Sequence, residues 1–427
     1  MARSTRLWRS LAIGGSLALV LSACGGGDEE TAEPTEAPEA TDEAGGSATG
    51  DGTLTIGTLL PETGSLAFLG PPEFAGVTLA VQEINEAGGV NGNDVVQIDT
   101  DSGDTTTNIA QQSVDTLISQ DADAIIGAAS SSVSLSVIDK ITGAGLVQVS
   151  PANTSTAFTD YDDDGLYWRT APSDVLQGRV LGDAVLLDGY QNIAIMALQD
   201  AYGETLVEQA TQAIEDGGGT VVFSEFYDPK STDFSAILDS AASTNPDAVI
   251  LIAFDETKTI IPQAVSRNFG PAEVPYFFVD GNLADYSEDF DPGTLAGVKG
   301  TLPGADTDDE FKARLSEAYG EELTVFAYAA ESYDASIVVA LAAIAAGDDS
   351  GEAIASQMQA VSTDGTKCTS FAECKELLEA GEDIDYDGAS GPIEFDENGD
   401  PTAAFIGIYE YDDTNNYSPL EFIEGSV

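Results

Sequence analysis

Three short polar turns carry most of the residues in this chain that could do chemistry. Gly127-Ala128-Ala129-Ser130-Ser131-Ser132 follows the apolar run Ala124, Ile125, Ile126, and a second turn, Ser150-Pro151-Ala152-Asn153-Thr154, comes one helix and one strand later. After the first turn, Val133, Val137, Ile138 and Ile141 share a face at helical spacing, which puts Ser131 and Ser132 at a helix start. Unpaired backbone N–H groups, the positive end of the helix dipole and serine hydroxyls converge there, a donor set suited to a carboxylate. Serine at such a place more often only caps the helix, so the turn alone leaves both uses open. The third turn, Asp280-Gly281-Asn282, ends the apolar run Tyr276 to Val279.

Catalytic uses of these residues find little support. Histidine is absent, which removes the commonest general base and metal ligand, and with them catalytic triads and His-containing zinc sites. Ser131 has no lysine placed nearby in sequence as its base, and nothing positions a second acid against Asp280 for glycosidase chemistry. Asp383-Ile384-Asp385-Tyr386-Asp387-Gly388 followed by Glu394 fits the acidic spacing of a calcium loop. Ser390 stands where an aliphatic residue belongs, however, and Pro392 where an exiting helix should begin, so no calcium site is expected. Asp160, Asp162, Asp164 and Gly165 start the same pattern without its final glutamate and read as a solvated loop. The expectation is a protein that is not an enzyme and needs no cofactor or metal.

The charge balance narrows the partners. Against 14 basic residues stand 75 acidic ones, a net charge of −61, which repels nucleic acid and anionic lipid headgroups. Too few cations exist to pair these carboxylates, so self-repulsion should destabilise the fold at low ionic strength and salt should screen it. A melting temperature that rises from low to molar salt is expected.

The elements that must position the turns follow in order. Residues 1–23, with Arg3, Arg6 and Arg9 before the apolar stretch Leu11 to Leu21, have the pattern of a signal peptide. Leu21-Ser22-Ala23-Cys24 resembles the lipobox of bacterial lipoproteins, whose cysteine is acylated, so Cys24 is the expected lipid anchor and the only tie to the membrane. Residues 24–52 hold no aromatic or large aliphatic side chain and read as a disordered acidic linker. From Leu54 on, strands and helices alternate, the pattern of a parallel sheet covered on both faces by helices. After Tyr167-Trp168-Arg169-Thr170 the alternation begins again, giving a second lobe of similar build and a cleft between the two. Cys368 and Cys374, six apart in an exported chain, are expected to form a local disulfide.

Read together, Pro61-Glu62-Thr63-Gly64, Ile84-Asn85-Glu86-Ala87-Gly88-Gly89-Val90-Asn91-Gly92, Gly127 to Ser132, Ser150-Pro151-Ala152, Arg169-Thr170, Tyr202-Gly203 and Gly391-Pro392-Ile393-Glu394-Phe395-Asp396 give a resemblance. Their order and spacing resemble the class I periplasmic solute-binding proteins of ABC transporters, of the branched-chain amino acid (leucine/isoleucine/valine) type, over about Leu54 to Glu424. The resemblance implies two doubly wound Rossmann-like α/β lobes joined by a three-segment hinge, with crossings near Arg169, near Lys299 to Leu302 and near Gly388 to Ile393. The N-terminal lobe would comprise 53–170 plus 302–390, and the C-terminal lobe 171–301 plus 391–427.

The resemblance further implies that a ligand α-carboxylate meets Ser131 and its neighbour Ser132, with Thr154 assisting. The α-ammonium would meet the Ala152 carbonyl, the Thr154 hydroxyl and Asp280, and Tyr202 would cover the ligand from the second lobe. Leu69, with Phe68 beside it, and Phe254 stand where the family's best-known members carry tyrosine, and Asp280 where they carry glutamate. These three apolar residues suit an apolar pocket and equally suit ordinary core packing. The function implied is a monomeric, extracytoplasmic, lipid-anchored protein that captures a small amino acid and delivers it to an ABC permease. A ligand-sensing receptor of the same fold, or a binder of a related small amide or carboxylate, is the alternative.

Overall fold

A computed structural model describes residues 49–426. The expected signal peptide, Cys24 and nearly all of the 24–52 linker lie outside the described residues. The first half alternates β1 (Thr55–Leu59), α1 (Gly70–Glu86), β2 (Val96–Ile98), α2 (Ile109–Ser119), β3 (Ala124–Gly127), α3 (Ser131–Thr142), β4 (Val147–Ser150) and β5 (Tyr167–Arg169). These strands form one parallel sheet in the order β2-β1-β3-β4-β5. The second half repeats the scheme with α4 (Asp174–Leu187), β6 (Asn192–Leu198), α5 (Ala201–Asp216), β7 (Thr220–Tyr227), α6 (Ser235–Ser243), β8 (Ala248–Ile252), α7 (Thr257–Val265), β9 (Tyr276–Phe278) and β10 (Lys299–Pro303). Its parallel strands run β7-β6-β8-β9-β10, the same order as in the first sheet.

The central strands are apolar along their whole length, as burial on both faces requires. All five residues of Ala248–Ile252 are fully buried, and so are Ala124, Ile125 and Ile126. Gly127 ends β3 opposite Leu59, and a Cβ there would fall 2.1 Å from the Leu59 carbonyl oxygen, so only glycine lets β1 and β3 close up beside the Ser-rich turn. In each sheet the strand order reverses once, between β1 and β3 and between β6 and β8. Such reversals open a crevice beyond the carboxyl ends of the strands.

The chain then adds α8 (Asp309–Tyr319), α9 (Ala329–Ala346), α10 (Gly351–Met358), β11 (Thr366–Cys368), α11 (Phe371–Glu379) and β12 (Ile384–Tyr386) to the first lobe, and β13 (Ala403–Tyr411) and β14 (Tyr417–Ser426) to the second sheet as an antiparallel hairpin. The helix α9 is long and apolar enough to cross a membrane, but 83% of it is buried, as befits the core helix packed on α1. The first passage between lobes follows Arg169, and the other two follow Pro303 and Phe395, a few residues beyond 302 and 391. Lys299–Pro303 is still a strand of the second sheet, and Ile393 and Phe395 are still buried with the first lobe's core.

Cys368 and Cys374 form a disulfide that ties β11 to α11. The residues with calcium-loop spacing do something else. Asp385 lies in β12, and Lys367 Nζ sits 3.0 Å from Asp385, 2.9 Å from Asp387 and 3.8 Å from Glu394.

Candidate ligand-binding site

The first wall is built from the turns after β3 and β4. Ser130, not Ser131, caps α3: its backbone is extended and its hydroxyl accepts from Val133 N. Ser131 is thereby free of capping duty and opens the helix, its hydroxyl meeting, among the described residues, only Ser155 N at 3.5 Å. The two turns are stitched together from below. Asn153 Nδ2 donates to the carbonyls of Ala128 (3.0 Å) and Ala129 (2.8 Å), and Ser150 Oγ donates to the Ala128 carbonyl (2.7 Å). Tyr167 Oη in turn donates to Asn153 Oδ1 (2.9 Å).

Arg169 anchors the same loop. Fully buried, it donates to the carbonyls of Asn153 (3.3 Å) and Ser155 (2.7 Å) and forms a two-pronged pair with Asp400, Nε to Oδ1 at 2.6 Å and Nη2 to Oδ2 at 2.7 Å. Asp400 lies on the third interlobe passage, so the first and third passages are held against the ligand loop by one guanidinium.

The second wall comes from the carboxyl ends of β6, β8 and β9. Asp200 caps α5 by accepting from Gly203 N, which sets Tyr202 in the first turn facing the cleft. Tyr202 stacks on Phe254 with ring centroids 5.7 Å apart, and its hydroxyl donates to Asp280 Oδ1 at 2.6 Å. Asp280 Oδ1 also accepts from Gln177 Nε2 (2.6 Å), and Oδ2 accepts from Tyr328 Oη (2.7 Å). Burial pushes the Asp280 carboxyl above its ordinary range, and these three donors oppose that rise. None of the three carries a charge.

Between the walls is a cavity of about 270 Å3 of empty space, little of it wide enough for water, lined on its polar sides by Ser131 and Asp280 and on its apolar sides by Leu66, Leu69 and Phe254. Six of the expected site residues meet there: Ser131, Ala152, Tyr202, Asp280, Leu69 and Phe254. Among the described residues the Ala152 carbonyl accepts no hydrogen bond. Helix N-terminus donors and the free Ala152 carbonyl on one wall thus face the Asp280 carboxylate on the other across an apolar gap, an arrangement that supplies both donors and acceptors to a zwitterion.

Two expected residues fall off this wall. Ser132 reaches across the cleft instead, donating to Asp200 Oδ2 (3.2 Å) and accepting from Ala201 N (3.0 Å), because the second position of α3 points toward α5. Beside it Ser155 Oγ donates to the Ala201 carbonyl (2.9 Å), so the two lobes are in direct polar contact. The Thr154 hydroxyl is buried against Asp174, where it and Asp174 Oδ1 lack a well-formed hydrogen bond. Burial pushes Asp174 up to about 7, with nearby Asp280 adding to the rise and Thr205 and Thr154 opposing it. Phe68, expected beside Leu69, is only partly buried against the core, and Leu66 joins Leu69 on the cavity wall.

Gln177 and Tyr328 were not expected in the site. Tyr328 precedes α9 with φ of +59°, a left-handed conformation costly for a bulky residue, and this turns its ring toward Asp280. The outer mouth of the cleft is wider, about 1070 Å3, and holds one cation, Lys230, among Asp104, Asp200 and Glu256.

The comparisons agree with this geometry. A family model described as periplasmic binding protein matches residues 53–406. The chain is 27% identical over 366 residues to the chemotactic signal transduction system substrate-binding protein BasB of Halobacterium salinarum, covering 83% of this chain and 86% of that one. Among solved structures it resembles the branched-chain amino acid transporter substrate-binding protein LivJ of Streptococcus pneumoniae in complex with isoleucine, at a TM-score of 0.71 and 21% identity over 87% of this chain and 100% of that one. It also resembles a solute-binding protein of R. palustris in complex with 4-hydroxybenzoate, at a TM-score of 0.73 and 14% identity over 88% and 98%. With the family model matched along most of its length, the chain belongs to the periplasmic binding protein family and is a solute-binding protein, not an enzyme.

Proposed function

We propose that this protein is anchored outside the cytoplasmic membrane through lipidated Cys24, captures a branched-chain or similar amino acid in the cavity between Ser131 and Asp280, and delivers it to an ABC permease. One observation carries the reading. Asp280 is a buried carboxylate given three neutral donors and no counter-charge, and it faces the donor end of α3 across an apolar gap. A ligand ammonium would supply the missing positive charge, and a ligand carboxylate would satisfy Ser131 and the first N–H groups of α3. Leu66, Leu69 and Phe254 would take an aliphatic side chain.

Titration calorimetry with amino acids, small amides and small carboxylates tests the reading. Leucine, isoleucine or valine should bind in a one-to-one ratio. A panel in which no amino acid binds while benzoate or 4-hydroxybenzoate does would replace the ammonium reading with a carboxylate one. Loss of membrane association in Cys24→Ala would support the anchor. A second reading, ligand sensing for a chemotaxis partner, is favoured by the likeness to BasB. Growth on the ligand that survives deletion of the gene, with the response to that ligand lost, would select it.

A further inference from the structure

A larger cavity, about 880 Å3 of empty space, lies where the β10–α8 passage meets the β13–β14 hairpin. Tyr328 is the one residue it shares with the lining of the cleft cavity. Its walls come from both lobes: Lys312 and Glu331 from the first, Tyr409, Tyr417 and Phe422 from the second. We propose that this hinge cavity is a second binding site, for a small organic cation of the methylated-ammonium type.

Glu331 carries the inference. It is 3% exposed and lines the cavity, and among the described residues its carboxylate meets no cation and accepts only from its own backbone N–H. A buried carboxylate without a positive partner is costly and is ordinarily paired. Glu73, on α1, is fully buried with both oxygens unpartnered, and burial together with the nearby Glu331 pushes its carboxyl well above the ordinary range, so Glu73 stays protonated and supplies Glu331 with no counter-charge.

The facing wall is aromatic. Tyr409 packs edge to face with Tyr417 at 5.5 Å and with Phe422 at 6.1 Å, and all three are only partly buried. Ring faces beside a desolvated carboxylate select a weakly hydrated cation, which is how quaternary ammonium groups are recognised. A metal ion fits poorly, since among the described residues no three ligating side chains gather. Among the described residues Lys312 pairs with no carboxylate, and its Nζ lies 5.9 Å from the Phe326 ring centre, so repulsion confines a bound cation to the Tyr409 and Tyr417 end. The net charge of −61 enriches cations at every opening of the protein.

Protonation sets the pH dependence. Burial pushes Glu331 up to about 8, with Asp334 on its own helix adding to the rise. Glu73 from α1, Tyr409 from β13, Tyr417 from β14, Lys312 from α8 and Asp285, Asp306 and Tyr328 beside the cavity are the other titratable groups around it. A cation binds the ionised form, so affinity should rise as pH rises through about 8.

Calorimetric titration of the full chain with tetramethylammonium chloride tests the site, against sodium chloride at equal ionic strength and against tert-butanol as an uncharged molecule of similar bulk. Saturable binding of tetramethylammonium alone, weakened at least tenfold in Glu331→Gln and strengthened from pH 6.5 to 9, is the expected result. Tyr417→Leu, on a partly exposed strand, should weaken it as well and serves if Glu331→Gln does not fold. Absence of saturable binding, equal binding of tert-butanol, or unchanged affinity in a folded variant would overturn the assignment. The outcome does not depend on what binds in the cleft.

Discussion

Asp400 and Asp280 are both buried carboxylates at the seam between the lobes, and the protein treats them in opposite ways. Asp400 is matched by a full positive charge, the Arg169 guanidinium, in a two-pronged geometry. Asp280 is ringed by three neutral donors and left without one. A buried charge paired inside the protein is a fixed part of the fold, whereas one solvated by dipoles alone is poised for a positive group from outside. The difference separates a residue that holds the site from one that uses it.

The sharpest way to break this contrast is to remove the internal cation. Arg169→Met strands Asp400 and frees the loop from Asn153 to Ser155, so urea unfolding should show a loss of about 3–5 kcal/mol. Asp280→Asn should behave oppositely. Amino acid affinity should fall by about 2–5 kcal/mol in calorimetry, as expected when one partner of a desolvated charge pair is truncated, while stability to urea should hold or improve because an uncompensated charge is gone. If Asp280→Asn instead unfolds the protein and leaves affinity intact, the contrast is wrong.

A gentler test uses protons. The folded-state pKa of Asp280 is raised by burial, and only the ionised form attracts an ammonium, so amino acid affinity should decline as pH falls through that raised pKa. The decline should vanish in Asp280→Asn, and a parallel decline in both proteins would place the titrating group elsewhere. The smallest expected effect divides two neighbouring serines. Ser130→Ala should cost about 1 kcal/mol of stability through loss of the α3 cap, whereas Ser131→Ala should leave stability nearly unchanged and weaken binding. Reversed outcomes would return the Ser-rich turn to a purely structural role.

Much of the fold was legible because its cues are local. Runs such as Ala124 to Ile126 and Ala248 to Ile252 can only be strands buried on both faces, and the glycines and serines after them mark where those strands end. The disulfide followed from spacing in an exported chain. The polar turns that carry Ser131, Ala152, Tyr202 and Asp280 were visible for the same reason, whereas the roles expected of these residues came from the family resemblance.

What sequence reading missed depends on packing between distant segments. Gln177 lies inside a helix whose other face is core, and nothing near it in sequence announces Asp280, 103 positions away. Tyr328 is followed by the apolar residues of α9 and reads as a helical residue, and only the fold shows its left-handed backbone. Ser132 shares its neighbours with Ser131, and one step along the helix sends it toward the other lobe. The last two hinge passages came from the family resemblance, which put them a few residues before Pro303 and Phe395, and only the packing of the folded chain shows these two residues still bound to the second sheet and the first lobe's core.

The polar contacts of Ser132 and Ser155 with the start of α5 bear on how faithfully the protein reports what it carries. They are made by the protein alone, and each net hydrogen bond of this kind contributes about 0.5–1.5 kcal/mol to the closed form whether or not a ligand is present. A larger closed fraction before binding brings the apparent affinity nearer to its intrinsic limit. It also raises the background, because a membrane partner that recognises closure would meet empty molecules dressed as loaded ones. The two serines therefore trade contrast for sensitivity, and the number of such latches sets where that balance falls.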